Sequence, residues 1–125
     1  MYYLVGDIGN TSTRICLLNK KSKIIKSIIL DTDKIFVKGF LKNKLKKLFK
    51  KNIRKKILFS SVVPLAFKKI KQLYKYEKFK FFEIKQFDLK KLIEINIKNL
   101  SQLGSDRIVN SIEGKKFKNC LIVDF

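Results

Sequence analysis

The chain contains no histidine, one proline, two cysteines and five glycines in 125 residues, and arginine occurs only at Arg14, Arg54 and Arg107. The missing histidine removes Ser-His-Asp and Cys-His nucleophilic sites, along with the commonest zinc ligand. With no Cys-x-x-Cys, a structural zinc site is excluded as well. Neither Gly-x4-Gly-Lys-Ser/Thr nor Gly-x-Gly-x-x-Gly occurs, so two common phosphate-binding signatures are absent. No apolar run reaches the length of a membrane span, and the N-terminus enters an apolar strand at once, without the basic start of a signal peptide. The expectation is a cytoplasmic protein. Cys16 and Cys120 each lie in an apolar stretch with no partner spacing, and both read as small core residues.

Acidic residues are also few. Thirty Lys+Arg face ten Asp+Glu, for a net charge of +20. Such a balance ordinarily raises nucleic acid as a partner. Here the excess is lysine spread along the whole chain, whereas bidentate recognition of phosphates and guanines favours arginine. The charge therefore reads as solvated surface, and no specific nucleic acid is expected. A hydrophobic content of 46% is enough for the core of one domain.

What remains for chemistry is carboxylates, hydroxyls and backbone amides. They concentrate first at Gly6-Asp7-Ile8-Gly9-Asn10-Thr11-Ser12-Thr13, behind the apolar run Tyr2-Tyr3-Leu4-Val5. Such a stretch suits a turn between strands that faces a phosphate: glycines allow close approach, amides and hydroxyls donate, and Asp7 can hold a metal through water. An ordinary polar hairpin turn would look the same. Ser12 to Leu18 and Lys23 to Leu30 read as the next strands, which gives an antiparallel meander.

The period then becomes helical. Val37, Leu41, Lys44, Leu45 and Leu48 recur at helix spacing, with Asp31-Thr32-Asp33 as cap candidates and Gly39 weakening the first turns. A strand from Lys56 to Phe59 leads through Ser60-Ser61-Val62-Val63-Pro64 into a second helix bearing Leu65, Ile70, Leu73 and Tyr74. Phe79 to Ile84 is a further strand, and Asp88 to Ile97 mixes helical and alternating patterns. Gly104 to Gly114 reads as a helix, with Gly114 as a cap candidate. Cys120-Leu121-Ile122-Val123-Asp124-Phe125 reads as a buried strand ending in an acid, as the first strand does. It either completes the same sheet or opens a second lobe.

Gly104-Ser105-Asp106-Arg107 is the second concentration of chemistry. Asp106 could cap a helix beside an ordinary surface charge. Alternatively, Asp106 is a base for a substrate hydroxyl and Arg107 a fork for a substrate carboxylate. An inventory of carboxylates, hydroxyls and amides fits phosphoryl transfer around magnesium.

Taken in order, Asp7-Ile8-Gly9-Asn10-Thr11, Ser60-Ser61-Val62-Val63-Pro64, Gly104-Ser105-Asp106-Arg107 and Val123-Asp124-Phe125 resemble the N-terminal half of a type III pantothenate kinase, of the actin-like ATPase superfamily. The resemblance implies an α/β fold, an actin-like ATPase (ribonuclease H-like) lobe. Its N-terminal three-stranded meander would be extended by further strands, with helices packed on the sheet. Residues 1–118 would form that lobe, and 119–125 the first strand of a second. The implied reaction is ATP-dependent phosphorylation of pantothenate to 4′-phosphopantothenate, the first step toward coenzyme A. Asp7 would hold Mg2+, and Gly9, Asn10, Thr11, Ser12 and Thr13 would form the phosphate loop. Asp106 would act as the base, and Gly104, Ser105 and Arg107 would help bind pantothenate. Asp124 would join the metal or monovalent-cation (K+ or NH4+) environment, and the family form would be a homodimer. Two departures stand out. Gly-Thr, which usually follows Asp-Phe, is not in this chain. In addition, Ile97, Asn99 and Leu100 stand where the family commonly has Tyr and Asn-Pro. The chain alone is expected not to be a competent kinase. Another small-molecule kinase of the superfamily and a non-enzymatic basic nucleic-acid-binding module are the alternatives.

Overall fold

The computed structural model describes residues 1–49, 52–75, 77–117 and 119–122. Three strands open the chain: β1 (Tyr3–Ile8), β2 (Ser12–Leu18) and β3 (Ile24–Asp31). A 3-10 turn (Thr32–Phe36) leads to α1 (Phe40–Phe49), and β4 (Lys56–Ser61), α2 (Pro64–Leu73) and β5 (Lys80–Glu83) follow. Short 3-10 turns then carry the chain to α3 (Ser105–Gly114). The sheet order is β3-β2-β1-β4-β5, with the first three strands antiparallel and both β4 and β5 parallel to their neighbours. This is the expected α/β architecture, a meander extended by further strands.

Alternation decides which side chains face which layer. Leu4 and Ile8 of β1, Ile15 and Leu17 of β2, and Ile57 and Phe59 of β4 point to one face and are buried there. Leu41, Leu45 and Leu48 of α1, with Ala66 and Ile70 of α2, cover that face. Gly6 belongs to the same layer. A Cβ there would overlap the ring of Phe59, so the glycine makes room for a core aromatic and not for a ligand. The opposite face is only partly covered. A smaller cluster of Ile84, Leu89 and Ile108 anchors α3 beside it, while Leu58 of β4 and Ile25 and Ile29 of β3 stay exposed.

Several local expectations change. The first helix begins later than its periodicity implies. Gly39 adopts φ +77°, which breaks the chain between the 3-10 turn and α1, so Val37 lies outside the helix and is exposed. Asp31 makes no side-chain cap bond. The Asp88 to Ile97 stretch contains one 3-10 turn (Leu89–Lys91), followed by irregular chain. Lys115, not Gly114, caps α3. Cys16 is buried as expected, but Cys120 is exposed. The expected final strand is absent over residues 120–122, and Leu121 is 90% exposed. An apolar segment becomes a buried strand only where neighbouring strands flank it; here Cys120 and Ile122 lie beside Gly114 of α3 and no strand pairs with them among the described residues. Val123, Asp124 and Phe125 lie outside the described residues.

Candidate active site

The β1–β2 hairpin turns through Asn10 and Thr11, closed by the Gly9 N–H donating to the Ser12 carbonyl at 2.9 Å. A Cβ on Gly9 would stand 3.0 Å from that carbonyl oxygen, so the tight closure favours glycine. The hairpin is braced from behind by Thr32. Its hydroxyl donates to the Gly9 carbonyl (2.8 Å), lies 2.9 Å from the Thr13 hydroxyl, and its N–H donates to the Thr11 carbonyl (2.9 Å). Thr13 is therefore fully buried on the core face, its hydroxyl already engaged. Asn10, Thr11 and Ser12 are exposed at the tip.

The hairpin register pairs Asp7 with Arg14, and the parallel ladder pairs Asp7 with Ser60. Paired residues share a face, so Arg14, Asp7 and Ser60 form a row across β2, β1 and β4 on the less covered side of the sheet. That row lines a cleft of about 590 Å³, closed on one side by Asp106, Val109 and Asn110 of α3. The two predicted carboxylates, Asp7 and Asp106, thus share one cleft although they are far apart in the chain. Ser60 is buried, and its Oγ has no partner among the described residues. Ser61 instead exchanges hydrogen bonds with the backbone of Val63, turning the chain toward Pro64 at the start of α2.

At the start of α3 the cap is Gly104, and it makes no side-chain cap bond. Asp106 folds back so that its Oδ1 accepts the Arg107 N–H at 2.8 Å. A Cβ on Gly104 would overlap that carboxylate, so this glycine sets where Asp106 can lie. No described side chain pairs with the second carboxylate oxygen of Asp106. Ser105 is fully buried, and its Oγ has no partner among the described residues. Arg107 does not line the Asp7–Asp106 cleft. It faces a neighbouring hollow of about 400 Å³ with Leu103, Asn110, Ser111 and Ile122, and Asn110 borders both spaces. The hairpin-tip residues Gly9 to Ser12 lie beyond the lining of the main cleft.

Arg14, Ser60, Asn110 and Thr32 gained no site role from the sequence. The first and third carry a readable signal. Arg14 and Asp7 are equidistant from the hairpin centre at Asn10-Thr11, and Asn110 follows Asp106 by one helical turn.

Among the described residues no cluster of three His, Cys, Asp or Glu side chains could hold a metal. An exposed Asp7 beside the Ser60 hydroxyl still fits magnesium, which is held by one or two carboxylates, waters and substrate phosphates.

The folded chain is an α/β lobe with two carboxylates lining one cleft. The family model described as type III pantothenate kinase matches residues 3–125. A type III pantothenate kinase from Pelagibacter ubique (strain HTCC1062) is 45% identical over 124 residues, covering 98% of this chain and 50% of that protein. Among solved structures, a protein assigned as a sugar kinase from Cytophaga hutchinsonii is 13% identical. It matches with a TM-score of 0.45 over 66% of this chain and 35% of that one. A protein assigned as an N-acetylmannosamine kinase from Listeria monocytogenes is 20% identical, with a TM-score of 0.36 over 48% and 21%. The chain belongs to the type III pantothenate kinase family, and it spans 50% of the length of the curated relative it matches.

Proposed function

We propose that this chain contributes the catalytic carboxylates of an enzyme that phosphorylates pantothenate to 4′-phosphopantothenate with ATP, the first step toward coenzyme A. The observation that carries the reading is the convergence of Asp7 and Asp106 on one cleft in a member of this family. Asp7, with Ser60 beside it, would hold Mg2+ through water. The cation, when bound, offsets the charge of the phosphates. Asn10, Thr11 and Ser12 at the hairpin tip have free polar groups for phosphate oxygens, and Thr32 holds their backbone in place. Asp106 accepts the proton of the pantothenate hydroxyl on the oxygen that no described side chain pairs with, while its other oxygen is fixed by the Arg107 N–H. Arg107, in the adjoining hollow that Asn110 shares, receives the far end of pantothenate.

The same reading makes residues 1–118 the first lobe and 119–125 the opening strand of a second, which would form once neighbouring strands flank it. It further implies a cytoplasmic homodimer and a monovalent cation, K+ or NH4+, near Asp124. No specific nucleic acid and no membrane take part. No helix among the described residues is long and apolar enough to cross a membrane.

The test is pantothenate-dependent ADP release by a protein spanning the full length of the relative and containing this chain. Asp106→Asn is expected to lower kcat by roughly 100- to 10,000-fold with little change in the KM for ATP. Unchanged kcat in that variant would remove Asp106 from the mechanism. The 125-residue chain by itself is expected to form no phosphopantothenate.

A further inference from the structure

We propose that the hollow between α1 and the start of β5 is a binding site for a planar aromatic acid, held by Lys42 and Lys46 at its anionic end and by the Tyr74 hydroxyl at the other. The hollow has a volume of about 500 Å³, within the range that takes up small ligands. It shares no lining residue with the Asp7–Asp106 cleft, and α1 lies on the opposite, core side of the sheet. The inference therefore stands apart from the kinase reading.

The wall of the hollow is aromatic. Phe49, the last residue of α1, stacks on Tyr74 with centroids 4.5 Å apart and meets Phe79 edge-on at 4.8 Å. Phe49 and Phe79 are half-buried, which leaves aromatic surface open to a flat apolar guest. The rim is cationic. Lys42 and Lys46 stand one helical turn apart on α1 and line the same hollow. Both are exposed, and neither makes an ion pair or a cation–π contact among the described residues. Two ammonium groups so placed suit a carboxylate.

The inner end carries an unused donor. Tyr74 is 4% exposed and its hydroxyl has no partner among the described residues, although a phenylalanine would fill the same space. Burial, and then the charge of Glu77, raise the pKa of that hydroxyl, so it lies within electrostatic reach of Glu77, which also lines the hollow. A guest ring meets the hydroxyl by turning the exposed Glu77 side chain aside, a rotamer change of the kind that commonly accompanies binding. At 1.5 Å per residue, Lys42 and Phe49 stand roughly 10 Å apart along α1. That span matches two fused rings bearing a carboxylate. With two cations to one anion around the guest, an acid is favoured over an amine.

The experiment uses the protein that spans the full length of the relative and contains this chain, titrated with quinoline-6-carboxylate and followed by ligand-observed NMR. Two matched probes accompany it: quinoline-6-carboxamide, which lacks the charge, and naphthalene-2-carboxylate, which lacks the ring nitrogen that accepts from Tyr74. The expected result is one site per chain with a Kd of roughly 0.1–1 mM, in keeping with a ligand of about a dozen non-hydrogen atoms. The carboxamide should bind roughly 3- to 10-fold more weakly, and the carboxylate should lose as much in Lys42→Gln/Lys46→Gln. Lys20→Gln/Lys21→Gln, which removes the same charge elsewhere, should match the parent, and Glu77→Gln should tighten binding of the acid. Tyr74→Phe should weaken quinoline-6-carboxylate roughly 3- to 10-fold and leave naphthalene-2-carboxylate unchanged, a difference that a purely structural hydroxyl would not produce. Saturating MgATP or pantothenate should leave the affinity as it was. Absence of saturable binding would overturn the proposal. So would an equal loss in the two double-lysine variants, competition by MgATP or pantothenate, or a Tyr74→Phe effect shared by both acids. None of these outcomes touches the kinase reading, whose test is turnover.

Discussion

Single side chains here decide whether a space belongs to the core or to the cleft. Gly6 illustrates the first case. Its missing side chain is replaced by the Phe59 ring, so Gly6→Ala is expected to destabilise the fold by about 1–3 kcal/mol through overpacking. Urea denaturation would measure this, and an unchanged midpoint would mean that Phe59 can move aside. Gly104 illustrates the second. Gly104→Ala should displace the Asp106 carboxylate and lower kcat in the full-length enzyme, with far less effect on stability than Gly6→Ala. Tyr74 links a buried group to pH. It is 4% exposed, stacks on Phe49 at 4.5 Å, and its hydroxyl has no partner among the described residues. Burial, and then the charge of Glu77, push its pKa from 10.0 up to about 12. Below pH 10 both folded and unfolded chains keep this proton, and its contribution to stability is intact. Between pH 10 and about 12 the unfolded chain releases the proton first, so stability falls as pH rises. Tyr74→Phe should remove that part of the alkaline decline, seen as a smaller loss of urea midpoint across the window than in the parent chain.

At the scale of elements, much of the fold was readable from pattern, and the failures have definite causes. The meander, the apolar face of α1, Pro64 at a helix start and the helix after Gly104 all follow from periodicity and punctuation, which are local signals, whereas Leu65, expected on the apolar face of α2, is exposed and Ala66 and Ile70 are the buried positions. Val37 continues the helical spacing but is cut off by the left-handed turn at Gly39, a conformation that spacing does not encode. Cys120 and Leu121 are apolar, yet burial needs a covering neighbour, which local sequence does not supply. The site shows the same division. Asp7 and Asp106 were legible as residue types, but their shared cleft depends on β4 and α3 lying beside β1. Thr32 looked like a helix cap and is instead the brace of the hairpin. Thr32→Val keeps the shape and removes the hydroxyl, leaving the Gly9 carbonyl and the buried Thr13 hydroxyl without it. The expected cost is about 1–3 kcal/mol, together with faster hydrogen exchange at the amides of Gly9 and Thr11. Exchange unchanged from the parent chain would show that the hairpin needs no brace.

Across the whole molecule, the dominant fact is charge. A net charge of +20 on 125 residues sets lysines against one another over the surface, and only three ion pairs occur among the described residues, all i,i+3 and largely exposed. Such pairs contribute little, whereas the summed repulsion favours the expanded chain. Raising sodium chloride from about 0.02 M to about 0.5 M should therefore raise the urea midpoint, because the Debye length shrinks from well beyond lysine spacing to a few ångströms. A midpoint that falls or stays level would mean that attractive pairs outweigh the repulsion. The parallel seam between β1 and β4 has a kinetic consequence. Residues 5–8 must meet residues 58–61, so this seam closes a loop of the chain that contains two strands and a helix, whereas the hairpin beside it closes over a few residues. Local hairpins form in microseconds, and long-range pairing is the slower event. Asp7 and Arg14 therefore come face to face early in folding, while Ser60 and Asp106 arrive only with the last, most distant contacts. The cleft is the product of the slow step, and a chain caught before it would carry a finished hairpin and no site.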